Sequence, residues 1–415
     1  MNITLLTLFI SIISGITISF LLTKVVITQA IRYNIVDKPR VDRFHKKTTA
    51  LMGGIAIMLA FLVTMTLAGL TPLWWSIGNI IGILLSVILI FKNHRKASLI
   101  SSVITVVAAM GSLILLYGYS LEESKFSFLS IGADIIFLTG MFDDKSKAME
   151  PKIKLFFQII ASAIITWIAG DTTLLPAPFN YIFVAIWSIG LMNAFNMIDN
   201  MNGLSAGAAC LSAALFSLLS FFWFDTPVLG LLSAIIAAVT FGFLPLNFPK
   251  ARIFMGDSGS MLLGYLIGSL AVLGCWTGKE LSFNTLIPFG LIAYPIFDVA
   301  FVSINRTRSG RPIYIGGKDH SSHLLVKLGL SPKNAVLTIY GIIMMTGSMT
   351  LSLTLLGTFE QIIGVLFVGI SLLLLGVHLS RIHDMEYMPK KERVTIERKA
   401  PTEERLILKK VSSEH

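Results

Sequence analysis

Apolar runs of about 15 to 22 residues recur along the chain, at about 3–23, 52–71, 73–91, 97–118, 128–142, 155–170, 180–197, 203–224, 228–247, 258–276, 284–304, 335–356 and 361–380. A hydrocarbon core takes about 20 apolar residues per crossing as a helix. Lipid offers no partner to an open backbone, so a helix is the form such runs can adopt there. The pattern predicts an all-α polytopic membrane protein of about 13 transmembrane helices. Composition agrees, with 54% hydrophobic and 13% charged residues. The first run lacks a basic flank and a small-residue cleavage site, and reads as a spanning helix rather than a signal peptide. Cys210 and Cys275 lie inside apolar runs and read as packing residues.

Charge sets the expected orientation. With the N-terminus outside, every Lys and Arg except Lys125 and Lys279 falls in a segment on the inner side, as the positive-inside rule requires. The C-terminus is then cytoplasmic. The net charge of +10 becomes a topology signal that calls for no nucleic acid. Residues 1–380 read as one integral-membrane domain, and 381–415, mixing basic and acidic residues, as a cytoplasmic tail that could touch anionic membrane lipid.

The same topology gathers the unusual polar residues on the cytoplasmic side. Between Leu191 and Gly207 stand Asn193, Asn196, Asp199, Asn200 and Asn202. At 100° per residue the first four share a helix face and Asn202 falls well off it. Asp143-Asp144 ends a run and is followed by Lys145, Lys147, Lys152 and Lys154; adjacent carboxylates persist with a cation or a basic partner, and Mg²⁺ takes oxygen ligands of this kind. Phe254-Met-Gly-Asp-Ser-Gly259 places Asp257 in a small-residue loop that opens a helix, where free amides favour phosphate. His320-Ser-Ser-His323 lies near Arg306, Arg308, Arg311 and Lys318, a combination suited to a pyrophosphate. Each also has a plain reading: a capped helix end, an acidic pair neutralised by lysines, a solvated basic loop. Asp134 and Asp298 fall within runs, where a carboxylate needs a partner or a role, and Arg306 is the expected partner of Asp298.

Together these residues resemble the polyprenyl-phosphate N-acetylhexosamine-1-phosphate transferases, of the undecaprenyl-phosphate N-acetylglucosamine-1-phosphate type in glycosyltransferase family 4. The resemblance rests on His45 with Gly53-Gly54; Gly140-Met-Phe-Asp-Asp144 with Pro151-Lys-Ile-Lys-Leu155 and Gln158; Asn193-Ala-Phe-Asn-Met-Ile-Asp199 with Gly203; Arg252 through Ser260; Pro295 and Asp298; and the His320/His323 loop. It implies transfer of a sugar-1-phosphate, GlcNAc-1-phosphate by default, from a UDP-N-acetylhexosamine to undecaprenyl phosphate. UMP is released, and the product starts a cell-envelope polysaccharide such as lipopolysaccharide O-antigen. It implies Mg²⁺, with Mn²⁺ a substitute, on Asp257, Asp199 and Asp144. Catalytic roles fall to Asp143, Asp144, His320 and His323. Substrate contacts fall to His45, Lys154, Asn193, Asn196, Asp199, Arg306 and Arg311. The implied location is the bacterial inner membrane with the site on its cytoplasmic side, and a homodimer is left open.

The chain departs from the family pattern at Asn202, where relatives carry a second Asp, at Ser322, where they carry a histidine, and at Thr48 and Ala50, where prolines are usual. About 73–118 reads as a two-helix insertion, which preserves the orientation of everything after it. Two alternatives remain: the same reaction with another sugar such as UDP-MurNAc-pentapeptide, or a non-catalytic or transport membrane protein.

Overall fold

The computed structural model describes residues 3–38, 48–115, 121–146, 149–170, 172, 175–277, 283–313 and 317–387. In chain order these form α1 (Leu5–Arg32), β1 (Val36–Asp37), β2 (Thr49–Ala50), α2 (Gly54–Leu67), α3 (Leu73–Phe91), α4 (Arg95–Leu115), α5 (Leu121–Ser146), α6 (Pro151–Ala169), α7 (Phe179–Met197), α8 (Leu204–Phe222), α9 (Pro227–Asn247) and α10 (Asp257–Ala271). A π-helical turn, Val272–Trp276, extends α10, and a 3₁₀ turn, Phe283–Leu286, leads into α11 (Ile287–Leu291). Then come α12 (Ala293–Arg308), α13 (Ser321–Lys327), α14 (Pro332–Leu353) and α15 (Thr358–Tyr387). The chain divides into two units, Met1–Leu291 and Ile292–His415.

Each predicted apolar run is helical over most of its described residues. Among the described residues 9 helices are long and apolar enough to cross a membrane. The other runs are occupied by α2, of 14 residues, by α4 and α7, and by the segment that the sequence reads as one helix over 284–304. That segment is interrupted at Ile292, which lies between α11 and α12. Apolar residues stand on both sides of the break, so hydropathy alone could not show it.

Within the first unit α10 is the central element: its apolar window is wholly buried, whereas that of α1 is 17% buried. It packs against α2, α5, α7 and α8. Lipid tails are as apolar as the helices, so packing between spans depends on close approach and on polar ties. Gly140 of α5 and Gly54 of α2 both abut backbone at the start of α10, and a Cβ at either would collide with it. Polar ties add to this: Ser19 of α1 donates to the Val239 carbonyl of α9 at 2.5 Å. Within the second unit α12, α13, α14 and α15 pack on one another.

Candidate active site

Gly53 and Gly54 act through their backbone. β1 and β2 pair antiparallel, and Ala50 continues the pairing to Ile253. Beyond it, Gly53 N–H donates to the Phe254 carbonyl at 2.9 Å and Gly54 N–H to the Met255 carbonyl at 3.0 Å. The loop before α10 is thereby held in place. At its end Gly256 has φ 76°, and a Cβ there would meet the Asp144 carboxylate; both conditions require glycine.

Asp144 closes that start from another helix. Its Oδ1 accepts from the Asp257 N–H at 2.8 Å, and its Oδ2 accepts from the Ser258 N–H at 3.2 Å and the Ser258 hydroxyl at 2.7 Å. A carboxylate against free first-turn amides is a cap and complements the helix dipole. Asp143 faces differently. It accepts from the Met149 N–H at 3.0 Å and pairs with Lys154, whose Nζ also lies 2.6 Å from Asp257 Oδ2. One ammonium therefore holds two carboxylates, all three side chains being partly exposed.

The amide face flanks this group. Asn196 donates to the Ser260 hydroxyl at 2.9 Å, while Asn193 and Gln158 exchange hydrogen bonds at 3.1 and 3.4 Å. Asp199, half-buried, meets no donor among the described residues; burial and then the charges of Asp257 and Asp144 hold its pKa well above the usual carboxylate range. Asn202 points away, to the Pro249 carbonyl at 3.1 Å. Its turn is fixed by Gly203, at φ 78°, whose N–H donates to Asn247 at 2.8 Å.

A second cluster is complete within the second unit. Asp298 of α12, fully buried, takes His320 Nδ1 at 2.8 Å on one oxygen, and the Ser321 N–H at 2.9 Å and hydroxyl at 2.5 Å on the other. Tyr294 lies 3.0 Å from the same hydroxyl. The expectation that Asp298 pairs with Arg306 is overturned: two helical turns separate them, about 12 Å. Asp319 folds back instead, receiving Arg306 Nε at 2.8 Å and Nη2 at 2.7 Å, with Arg311 at 3.1 Å. Arg306, 2% exposed, also donates to the Ile313 carbonyl at 2.6 Å, so it staples this loop and is not presented to a substrate. Burial alone would raise the Asp319 carboxyl, but Arg306, with His320 nearby, brings it down to about 2. Burial, followed by the charge of His320, lowers His323 to about 4, so its ring is neutral near pH 7.

The first unit thus gathers Asp143, Asp144, Lys154, Asn196 and Asp257, with Asn193 and Asp199 alongside. The second gathers His320, His323, Arg306 and Arg311. His45 lies outside the described residues. Sequence reasoning passed over Ser258, Ser260, Ser321, Tyr294 and Asn247. Only the two serines of the Gly-Asp-Ser-Gly-Ser run carried a signal, their place in the motif. Among the described residues no group of three or more His, Cys, Asp or Glu is arranged to hold a metal ion.

Many membrane-embedded helices ending in carboxylates and amides define a helical membrane protein with a polar site built from helix ends. Residues 126–275 match the model of glycosyl transferase family 4. The chain is 29% identical over 330 residues to a probable undecaprenyl-phosphate N-acetylglucosaminyl 1-phosphate transferase of Bacillus subtilis (strain 168), covering 77% of each chain. It is 30% identical over 208 residues to a phospho-N-acetylmuramoyl-pentapeptide-transferase of Staphylococcus epidermidis, covering 44% of this chain and 61% of that one. Against the undecaprenyl-phosphate alpha-N-acetylglucosaminyl 1-phosphate transferase of Escherichia coli (strain K12) the identity is 29% over 181 residues, 42% of this chain and 48% of that one. Over residues 126–275 the chain is similar to glycosyl transferase family 4.

Proposed function

We propose that this protein transfers GlcNAc-1-phosphate from UDP-GlcNAc to undecaprenyl phosphate, releasing UMP, at the cytoplasmic face of a bacterial inner membrane. The observation that carries the reading is the Lys154 ammonium held between Asp143 and Asp257, beside amides that Asp144 fixes at the start of α10. A lipid phosphate cannot leave the bilayer border, and a site made of helix ends lies where it can be reached. Thirteen spans with the N-terminus outside remain the topology we assign, on the distribution of Lys and Arg.

The chemistry asks for positioning and charge compensation rather than a strong base, because a phosphate monoester is already ionised near neutral pH. Asp143 and Asp257 orient Lys154, and Lys154, released from one of them, would pair with a phosphoryl oxygen. Asn196, held by Ser260, and Asn193, held by Gln158, present amides to the nucleotide sugar. His320, whose Nδ1 is held by Asp298, keeps Nε2 for a phosphate oxygen, to which it would donate as an imidazolium.

The donors fit a hard divalent ion in chemistry: all are oxygens, Asp257 already holds a cation, and Asp199 meets no donor among the described residues. Asp199 and Asp257 are the residues we assign to Mg²⁺ or Mn²⁺; Asp144, with both oxygens turned to amides and a hydroxyl, caps α10 instead. Such an ion, when bound, neutralises the diphosphate. The test is UMP release from UDP-GlcNAc and undecaprenyl phosphate by purified protein in detergent, with and without Mg²⁺, beside Asp257→Asn. Release that requires lipid, Mg²⁺ and Asp257 supports the reading. No release across a panel of UDP-N-acetylhexosamines, UDP-MurNAc-pentapeptide included, overturns it.

A further inference from the structure

The turn between α3 and α4 lies outside the matched residues 126–275 and has no part in the cluster described above. It reads Lys92-Asn-His-Arg-Lys96, all exposed, and lines a pocket of about 480 Å³ formed by Asn93, His94, Arg95, Lys96 and Ala97. Arg95 lies within Coulombic range of Lys145, the residue after Asp144. Like charges brought together from separate elements repel, and an anion among them offsets that repulsion. None of Lys92, Arg95, Lys96 and Lys145 pairs with a carboxylate among the described residues, and the nearby Asp143 and Asp144 are engaged by Lys154 and by α10.

The surroundings narrow the anion. Directly beyond the turn, α3 and α4 expose Ile88 at 48%, Leu99 at 53%, Ile100 at 60% and Val103 at 55%. A basic pocket next to an unbroken apolar face matches a ligand with an anionic head and a long apolar tail. A free phosphate would use the first feature and make no contact with the second.

We propose that this turn, with Lys145, is a binding site for the phosphate head of a membrane lipid whose chain lies along the exposed face of α3 and α4. The turn opens α4, which packs on α5, so its occupancy bears on the helix that carries Asp143 and Asp144. It does not depend on the transferase reading, because it is argued from charge and apolar surface alone.

The test uses full-length protein purified in a neutral detergent, with lipid binding followed by native mass spectrometry and by melting temperature. The probes are undecaprenyl phosphate, phosphatidylglycerol and inorganic phosphate, with phosphatidylcholine as the neutral reference. The variants are Arg95→Gln/Lys96→Gln and, separately, Lys145→Gln. A basic residue at a charged lipid surface is worth about 1 kcal/mol, about fivefold in affinity, so the double variant is expected to weaken an anionic lipid by about 25-fold, and Lys145→Gln by about fivefold. Phosphatidylcholine binding should be unchanged, and so should the lipid-free melting temperature, the replaced turn side chains being exposed. Selective loss of undecaprenyl phosphate supports the site and identifies its occupant as the acceptor; selective loss of phosphatidylglycerol supports it and identifies a bound phospholipid. Equal affinities of wild type and variants for both lipids, or a loss confined to inorganic phosphate, would overturn the proposal and leave these residues as topology signals alone. Binding is read without turnover, so an inactive protein leaves this test intact.

Discussion

The Asp143–Lys154–Asp257 cluster and the Asp298–His320 cluster are made of the same kinds of residue, yet their accounts differ. In the second, each buried carboxylate is matched: Asp298 by an imidazole, an amide and a hydroxyl, Asp319 by two arginines. In the first, one lysine serves two partly exposed carboxylates and Asp199 meets no donor among the described residues. A saturated network holds its shape. An undersupplied one has capacity left for a cation or a phosphoryl group, and it is there that ligand exchange is expected.

The comparison can be broken by substitutions with opposite signatures. Arg306→Met should have the largest effect: it leaves Asp319 buried with one partner, a loss of about 3–5 kcal/mol seen as a lower melting temperature in detergent. Full retention of stability would show that the second cluster is not the rigid one. Asp257→Asn should do the reverse, lowering UMP release about 10²–10³-fold with the melting temperature nearly unchanged. A large loss of stability there would mean that the first cluster is a structural network too.

Smaller effects sharpen the picture. The folded pKa of His323 is lowered from its ordinary 6.5 to about 4, so between those values the unfolded chain binds more protons. Its contribution to stability is therefore complete above about pH 6.5 and declines as the pH falls toward 4. Melting temperatures across that interval should be flatter in His323→Gln than in the wild type; equal slopes would remove His323 as the cause. The smallest expected effect is at Asn202→Ala, which removes one hydrogen bond to a carbonyl and costs about 1 kcal/mol. Measured UMP release should fall by less than tenfold, since Asn202 faces away from the amide face; a loss comparable to that of Asp257→Asn would place it in the site.

Much of this was legible before any coordinates. Helical geometry separated Asn202 from Asn193, Asn196 and Asp199, and the structure turns it to Pro249. The apolar runs located the helices, because a period and a length are local properties. Other features were not legible, and for a common reason. Arg306 and Asp298 stand eight residues apart on one helix and look like partners, but a pair is decided by where a distant loop returns, and Asp319 arrives first. Asp143 and Asp144 are neighbours with the same chemistry, yet one turns to a lysine and the other to the amides of α10, a choice set by successive residues pointing about 100° apart on α5.

The sequence by itself determined that this is a helical membrane protein, which polar residues lie at the ends of its spans and which family they resemble, since hydropathy, charge distribution and motif spacing are properties of the chain. Only the tertiary structure decided which carboxylate caps, which shares a lysine and which histidine is oriented. Those assignments depend on contacts between separate elements, such as Asp298 with His320 and Lys154 with Asp257, that no local pattern encodes.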